Sequence, residues 1–281
     1  MAEPNELQVE TPRKFVPHYA IDPIADCYES AVKLSHLLHL SMNGLGMVSR
    51  RPLLLAQLMD ATRACGDEIT PELKKDHSHA TADAKFAQAE IDNGFPTLHA
   101  STVVAFWGAL ESAVEDMLVG IMCNEPKVLE SEAFSKIKIP FAKYEQLDHE
   151  ERMRFLLAEV QHNEVVGLAQ GVDTFEKILQ AFGLSGPVDP AIKKTLWNLN
   201  NLRNIIVHRG SRADRRFVEN CPTFNVKLGE RVTIDHKTYA SLTNHVFDYI
   251  ILITRRLAAR YDVSISPNFP YDMPRAEVED T

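Results

Sequence analysis

The sequence contains no long apolar run. No window of its 281 residues approaches the roughly 18 to 20 uninterrupted apolar residues that a membrane-spanning helix requires. The first residues, M-A-E-P-N-E-L, also lack the basic and then apolar order of a secretory signal peptide. Both absences predict a cytoplasmic protein without membrane contacts. The composition, 45% hydrophobic and 25% charged, is ordinary for a globular chain with one large domain or two smaller ones.

Cysteine is scarce and scattered. The cysteines are Cys27, Cys65, Cys123 and Cys221. They form no C-x-x-C pair, which disfavours a structural zinc site and a disulfide framework, so we expect reduced, buried thiols. His77 and His79 are two residues apart in a predicted helix, where their side chains point about 200° apart and do not suit a shared metal. The sequence therefore predicts neither a metal nor another cofactor.

A Gly-rich phosphate loop is also missing, so nucleotide chemistry of the Rossmann or P-loop kind is not indicated. The net charge of -9 argues against a general electrostatic attraction to nucleic acid. Positive charge is nevertheless concentrated in residues 203–216, where five arginines and one acid, Asp214, give a local charge of five minus one, or +4. This charge fits either a small RNA footprint or a solvated helix end whose arginines pair with acids elsewhere.

Most of the sequence has the hydrophobic periodicity of helices. Apolar residues recur at helical spacing, and Asp or Thr followed by Pro marks several helix starts. The predicted helices are 23–43, 52–64, 70–93, 96–123, 141–160, 172–182, 190–209 and 237–261. The helix over 96–123 is the most apolar and is expected to be central. Two alternating runs around Gly229 and Glu230 predict a small β-hairpin near 222–235.

Proline and charge mark the two ends of the chain. Residues 1–20 and 263–281 combine several prolines with charged residues and show no period, which predicts loosely attached tails. The part between them divides into an N-terminal helical segment, 21–95, and a longer helical region, 96–262. The sequence therefore predicts an all-α protein.

The helix over 190–209 has the clearest boundaries. Asp189 can cap its first turn with Pro190 at the first helical position, and Gly210 is typical of the position after a helix end. On this helix Leu199, Leu202, Ile205 and Ile206 form an apolar face. The opposite, polar side is therefore not needed for the stability of the helix itself.

That polar side carries the residues most suited to chemistry. At about 100° per residue, Asn200, Asn204 and His208 stack at successive turns, and Arg203 lies beside them. On the helix over 96–123, Glu111 and Glu115 are four residues apart. Such a pair can do acid-base or metal chemistry, or form a solvent-facing edge with salt-bridge partners. If Glu111 faces Arg203, the two form an ion pair that is either structural or catalytic.

The polar helix carries a family resemblance. Its stretch L-R-N-I-I-V-H-R-G, followed by A-D-R-R-F-V-E-N-C-P, resembles the signature of the HEPN superfamily, in particular its RiboL-PSP-HEPN-like branch. That signature is an Arg, a polar residue directly after it and a His several residues further on, which correspond to Arg203, Asn204 and His208. The segment from L-H-A-S-T-V-V to E-D-M-L also resembles the early core helix of such proteins. The resemblance covers roughly Leu98 to Tyr261.

The resemblance implies an up-and-down helical bundle over 96–262, to which the hairpin and the N-terminal helical segment are additions. It also implies a homodimer in which two copies of the motif face each other and form a composite site. Many members of the family are metal-independent endoribonucleases of toxin-antitoxin, phage-defence or stress-response systems. The implied partners are a second copy, an RNA substrate and, in some systems, an antitoxin or another protein.

The resemblance also implies roles for the residues. Without a metal, RNA cleavage can use the 2′-OH as nucleophile, together with a proton-transfer group and a fixed cation. His208 would be the acid or base, Arg203 the charge stabiliser and Asn204 the residue that orients His208. The residues expected to bind the substrate are Asn200, Arg209, Arg212, Arg215 and Arg216, with Glu111 in support. Because inactive members of the family exist, the alternatives are a non-catalytic RNA-binding module and a protein-interaction module.

Overall fold

The computed structural model describes residues 14–135, 137–139, 144–165 and 171–265, and this part of the chain is almost entirely helical. The all-α prediction is confirmed. The helices are α1 (His18–Ala64), α2 (Pro71–Asp92), α3 (Pro96–Asn124), α4 (Glu132–Ser135), α5 (His149–Val165), α6 (Val172–Ala181), α7 (Pro190–Arg209), α8 (Arg215–Asn220) and α9 (His236–Arg260). Short 3-10 turns occupy Pro126–Glu130 and Pro222–Phe224. Within the described ranges, every helix is too short or too polar to cross a membrane.

The central helix is α3, as predicted. It packs against α1, α5, α7 and α9, and its side chains Phe106, Trp107 and Leu110 are at most 2% exposed. Gly120 permits close contact with α1, since a Cβ at this position would lie 2.2 Å from the backbone oxygen of Tyr19. The bundle core therefore forms around α3 and supports the polar helix α7 from one side.

Residues 18–64 form one helix of 47 residues, where the sequence predicts two. Pro23 and Pro52 both lie inside it. Proline removes a backbone donor and glycine lowers helix propensity, yet α1 continues through both prolines, with α2 and α3 packed against it. The helix also begins at His18, so residues 18–20 do not belong to the predicted tail over 1–20. Residues 1–13 lie outside the described part.

The predicted β-hairpin near 222–235 is not formed. Its first half is a 3-10 turn, and its second half runs back along the segment that follows α7. There, the backbone N–H of Val232 donates to the oxygen of Ser211 over 2.8 Å, and that of Ala213 donates to the oxygen of Glu230 over 2.9 Å. The alternation has a different cause, because Val232 and Ile234 alternate into the helical core, where they are 6% and 2% exposed.

Two other expectations need correction. Helix α5 begins at His149, later than the predicted start at residue 141, and residues 140–143 and 266–281 lie outside the described part. The cysteines are free, but only Cys27 and Cys221 are buried, while Cys65 is exposed and Cys123 is half-buried. Burial raises the pKa of the thiols of Cys27 and Cys221 to about 12. These two thiols are therefore inert core groups at neutral pH.

Candidate functional site

The polar helix α7 is fixed at both ends as the sequence predicts. Asp189 caps its start by accepting a hydrogen bond from the backbone N–H of Ala191 over 2.7 Å, and Pro190 is the first helical residue. Gly210 ends the helix with a φ of 57°, in the left-handed region that glycine adopts without strain. The first and last residues of α7 are therefore set by local signals in its own sequence.

The apolar face of α7 is buried in the bundle core. Leu199, Leu202 and Ile205 are at most 3% exposed, and Ile206 is partly buried against the core. Helices α3 and α9 cover this face. The polar residues therefore lie on the accessible side of α7, and they are not required to fill the core.

Arg203 is held between two partners. Its Nη1 donates to Oδ1 of Asn204 over 3.2 Å, and its Nη2 lies 3.7 Å from Oε2 of Glu111 on α3. The Arg203 side chain remains 31% exposed and that of Glu111 45% exposed. The guanidinium is thus oriented by a carboxylate and an amide, while part of it still faces solvent.

The side-chain amide of Asn204 forms hydrogen bonds with both Arg203 and Asn200. Its Nδ2 donates to Oδ1 of Asn200 over 3.5 Å, at the long end of a hydrogen bond. His208 is exposed, and its ring makes no hydrogen bond or ion pair with any residue in the described ranges. The orientation of His208 by Asn204, which the resemblance implies, is therefore not formed within one chain.

The two carboxylates Glu111 and Glu115 have separate partners. Glu111 faces Arg203, while Oε1 of Glu115 lies 3.4 Å from Nη1 of Arg154 on α5. Arg154 also pairs with Asp116 at 2.7 Å. The pair therefore does not form a joint acidic site, and Glu111 alone belongs to the surroundings of Arg203.

A second group of arginines lies directly after α7. Arg212 donates from Nη1 to the backbone oxygen of Gly229 over 3.1 Å, and its backbone pairs with that of Arg231 in an isolated antiparallel bridge. Like charges at opposed positions of such a bridge destabilise it. The predicted RNA-binding set lacks Arg231, because the sequence pattern does not indicate that residue 231 returns to residue 212. This bridge adds one more exposed cation to the surface.

Arg215 and Arg216 are exposed in the first turn of α8. A helix N-terminus carries partial positive charge, so cations at this position do not stabilise the helix. Neither side chain forms an ion pair with another described residue. Helix stability therefore does not account for these arginines.

The sequence leaves open that the five arginines of residues 203–216 pair with acids. Two of the five do so. Arg203 faces Glu111 at 3.7 Å, and Arg209 lies 4.0 Å from Asp214. The other three, Arg212, Arg215 and Arg216, have no acidic partner in the part of the chain that the structure describes. The surface after α7 thus retains uncompensated positive charge in a protein whose net charge is -9.

Hydrogen bonds fasten this basic segment to α7. Asn201, which is 4% exposed, donates from Nδ2 to the oxygen of Trp197 over 2.9 Å and accepts from Nδ2 of Asn220 over 3.2 Å. The indole N–H of Trp197 donates to the oxygen of Asn220 over 3.2 Å. Phe217 is 1% exposed and anchors α8 in the core. The sequence alone does not identify this clamp, since Asn201 and Asn220 meet only in the folded chain.

The arrangement combines an oriented guanidinium, a free imidazole and several unpaired arginines along one helix and the segment that follows it. Such groups can bind a phosphodiester, stabilise negative charge on it and transfer protons. Comparisons with known proteins found no matching protein-family model, no matching curated protein and no matching solved structure.

Proposed function

We propose that this protein is a metal-independent endoribonuclease of the HEPN type, which acts in the cytoplasm as a homodimer with a composite active site. The observation that carries the proposal is the contrast between Arg203 and His208 on α7. Arg203 is oriented by Glu111 and Asn204, whereas His208 is exposed without a bonding partner among the described residues. A held cation and an accessible proton-transfer group are the two elements that metal-free RNA cleavage requires.

The proposed reaction begins with the 2′-OH of RNA. Its oxygen attacks the adjacent phosphorus as its proton passes to a base, the bond between phosphorus and the 5′ oxygen breaks, and that oxygen takes up a proton. His208 accepts or donates one of these protons, and Arg203 stabilises the negative charge that develops on the phosphoryl oxygens. The products are a 2′,3′-cyclic phosphate and a 5′-OH.

Helix geometry supports the composite form of the site. His208 lies five positions after Arg203, which places the two residues about 7.5 Å apart along the helix axis and about 140° apart around it. The two side chains of one copy therefore diverge. If two copies face each other through α7, Arg203 of one copy and His208 of the other can meet at one phosphate.

The surrounding residues have supporting roles in this proposal. Glu111 and Asn204 position the guanidinium of Arg203, and Asn200 continues the hydrogen-bonded row. Arg212, Arg215 and Arg216 bind phosphates of the RNA backbone on either side of the cleaved bond. Because phosphate contacts carry no sequence information, the choice of cleavage site would depend on how bases are placed near His208.

A second candidate is a non-catalytic module that binds RNA or a protein through the same face. Val207 favours it, because this apolar side chain is 50% exposed directly beside His208. Contact with another protein would cover it. The same contact is compatible with the homodimer of the proposed nuclease. A measurement of RNA cleavage therefore decides between the nuclease and the non-catalytic module.

The direct test is cleavage of a labelled single-stranded RNA by purified protein in excess EDTA. We expect cleavage by the wild type, loss of cleavage in His208→Ala and in Arg203→Ala, and an intact substrate when a DNA of the same sequence is supplied. His79→Ala is the matched control, because His79 is exposed on α2, far along the chain from α7. If the wild type binds RNA but leaves it intact, the non-catalytic module replaces the nuclease.

A further inference from the structure

The distal half of α1 contributes almost nothing to a core. Along α1, which is described over its whole length, no residue after Leu38 is buried. Its neighbour α2 buries only two alanines and Glu90. Two helices that share so little buried apolar surface gain little stability from each other. We call the distal half of α1 together with α2 the arm. A further contact made by the arm would therefore stabilise the fold.

A row of exposed apolar residues follows one side of this arm. We call it the α1 stripe, and its members are Leu37, Leu40, Gly44, Met47, Arg51, Leu54 and Leu58. Its five large apolar side chains are between 52% and 67% exposed. The alternating spacing of three and four residues is that of a coiled-coil seam. An exposed apolar row of this length marks an interaction surface.

The α1 stripe faces away from the rest of the bundle. Buried residues of α1, such as Ile24, Cys27 and Ala31, lie on a side about 150° around the helix from the stripe. The partly buried positions of the distal half, such as Ser49 and Ala56, continue that same side. The opposite face of α1 therefore makes the contacts with α2 and α3. No residue in the described ranges covers the α1 stripe.

We propose that the α1 stripe is an interface between two copies of this chain, paired antiparallel about a twofold axis near Met47. A twofold interface requires that one surface complement itself. The stripe has this property, because Leu37 and Leu58 lie ten and eleven residues from Met47, and Leu40 and Leu54 each lie seven residues from it. Antiparallel pairing therefore places leucine against leucine on both sides of the axis.

Gly44 and Arg51 complete the same symmetry. They lie three and four residues from Met47 on opposite sides, so pairing brings Arg51 of each copy over Gly44 of the other. Apart from the adjacent backbone of α1 itself, a Cβ at Gly44 would meet no described atom within 4 Å, which leaves room for the aliphatic stem of an arginine. A single polar residue within an apolar seam also specifies one register over others.

Charge favours the antiparallel direction of the two copies over the parallel one. The stretch from Ser35 to Met59 contains Arg50 and Arg51 but no Asp or Glu. Parallel pairing in register would place these arginines against each other. Antiparallel pairing separates the two copies of Arg51 by about eight residues, or about 12 Å along the axis, which exceeds the screening length of about 8 Å at physiological salt.

This interface is separate from the one proposed through α7, and the inference does not rest on the proposed function. The α1 stripe and the α7 motif lie on different helices, and no residue belongs to both. A chain in which the two interfaces lie on different twofold axes forms assemblies larger than a dimer, whereas a chain with only the α1 interface forms a dimer. In either case, loss of the α1 contact lowers the mass of the assembly by a factor of two or more.

The first test is the mass of the protein in solution, measured by light scattering during size-exclusion chromatography. We expect an oligomer for the wild type, and at least a twofold lower mass for the double variant Leu40→Glu and Leu54→Glu. Leu228→Glu is the matched control, because Leu228 is 65% exposed but lies outside the stripe, and its mass should equal that of the wild type. A monomeric wild type at tens of micromolar, or an unchanged mass in the double variant, would overturn the proposal.

The second test uses chemical cross-linking and does not depend on the folding of the charged variants. In a Cys65→Ser background, Met47→Cys should form a covalent dimer with a short bis-maleimide, because the two copies of residue 47 lie next to the axis. Leu53→Cys is the control, since Leu53 is 62% exposed but lies about 120° around α1 from Met47. Equal cross-linking of the two variants, or none in either, would exclude this register.

Cleavage assays separate this inference from the proposed function. The variant with Leu40→Glu and Leu54→Glu retains every residue of the α7 motif. If its mass falls as expected while the wild type shows no RNA cleavage, the α1 interface stands and the nuclease proposal fails. If wild type and variant cleave RNA but have the same mass, the nuclease stands and the α1 interface fails.

Discussion

The guanidinium of Arg203 on α7 lies 3.7 Å from the carboxylate of Glu111 on α3, and this ion pair joins the polar helix to the central helix of the bundle. Both side chains are partly exposed, so the pair itself contributes little to the free energy of unfolding, about 0 to 1 kcal/mol. Its main effect is therefore on the direction of the Arg203 side chain. That distinction gives a test of the positioning role of Glu111.

Glu111→Gln should lower kcat/KM for RNA cleavage by about tenfold, as expected when a charge-stabilising group is less well held. The free energy of unfolding should change by less than about 1 kcal/mol. Glu115→Gln is the matched control, because Glu115 lies one turn away on the same helix and faces Arg154. If both variants cleave RNA at the wild-type rate, Glu111 does not position the catalytic cation.

A mixture of two inactive variants can test the composite site. Arg203→Ala and His208→Ala should each be inactive, but after unfolding and refolding together at equal amounts they should recover about a quarter of the wild-type activity. Half of the dimers are then mixed, and each mixed dimer has one complete site and one that lacks both groups. Recovery would be absent if each copy used its own Arg203 and His208.

The unpaired arginines predict how RNA binding depends on salt. The double variant Arg215→Ala and Arg216→Ala should weaken binding of RNA of any sequence, and should reduce the slope of log K against log salt by about 1 to 2. Lys74→Ala with Lys75→Ala is the control, because it removes two exposed cations of α2. An equal reduction in both variants would show that only the net charge of the protein matters. Fluorescence anisotropy over a salt series measures both slopes.

The amino-acid sequence predicts a helix correctly where the ends of that helix depend on residues only a few positions away in the chain. Asp189, Pro190 and Gly210 define α7 correctly, because capping and the left-handed conformation act within a few residues. The central position of α3 also follows from its own apolar pattern. The part of the candidate site carried by α7 can therefore be placed on a helix from the amino-acid sequence alone.

Contacts between distant segments leave no such local signal. The bridge between Arg212 and Arg231 and the clamp between Asn201 and Asn220 depend on how the chain returns to α7. The continuity of α1 through Pro52 also has no local signal, because a proline after two glycines is typical of a helix break. The same limit applies to the predicted hairpin, because alternating burial against a helical core produces the same sequence pattern as strand pairing.

Glu125 connects three helices and predicts a loss of stability in acid. Its carboxylate accepts hydrogen bonds from Tyr19 over 3.1 Å, from Arg260 over 2.6 Å and from Tyr261. Burial acts to raise the pKa of Glu125, but the hydrogen bonds from Tyr261 and Arg260 outweigh it, and the pKa is lowered overall. The stabilisation is therefore present above the unfolded pKa of about 4.3 and is lost as the pH falls through the lower folded value.

Glu125→Gln should lower the free energy of unfolding at pH 7 by about 1 to 3 kcal/mol, because it weakens a charge-assisted cluster around a partly buried group. Urea unfolding followed by circular dichroism measures this change. Glu130→Gln, at an exposed position of the neighbouring 3-10 turn, should change the stability by less than about 0.5 kcal/mol. The difference between Glu125→Gln and the wild type should shrink below pH 4, since the wild-type carboxylate is then increasingly protonated.

Because His99 is buried, we expect the stability of the fold to depend on pH in a second range, which lies closer to neutrality. It is fully buried, its Nδ1 lies 2.9 Å from the backbone oxygen of Ile234, and its ring stacks on that of Tyr239 with centroids 4.7 Å apart. Burial lowers the pKa of His99, so the folded protein resists protonation that the unfolded chain accepts. Stability is therefore unaffected above the unfolded pKa of about 6.5 and is lost as the pH falls below it.

Replacement of His99 by a residue that does not titrate isolates this effect from the other histidines. His99→Gln should lower the free energy of unfolding at pH 7.5 by about 1 to 3 kcal/mol, through the altered packing and hydrogen bond. The difference from the wild type should then become smaller between pH 7 and pH 5, because only the wild type has a buried imidazole that the unfolded chain protonates. His79→Gln, at an exposed position, should retain the full pH dependence of the wild type. A pH profile of His99→Gln parallel to that of the wild type would show that His99 has the same proton affinity in both states, despite its burial.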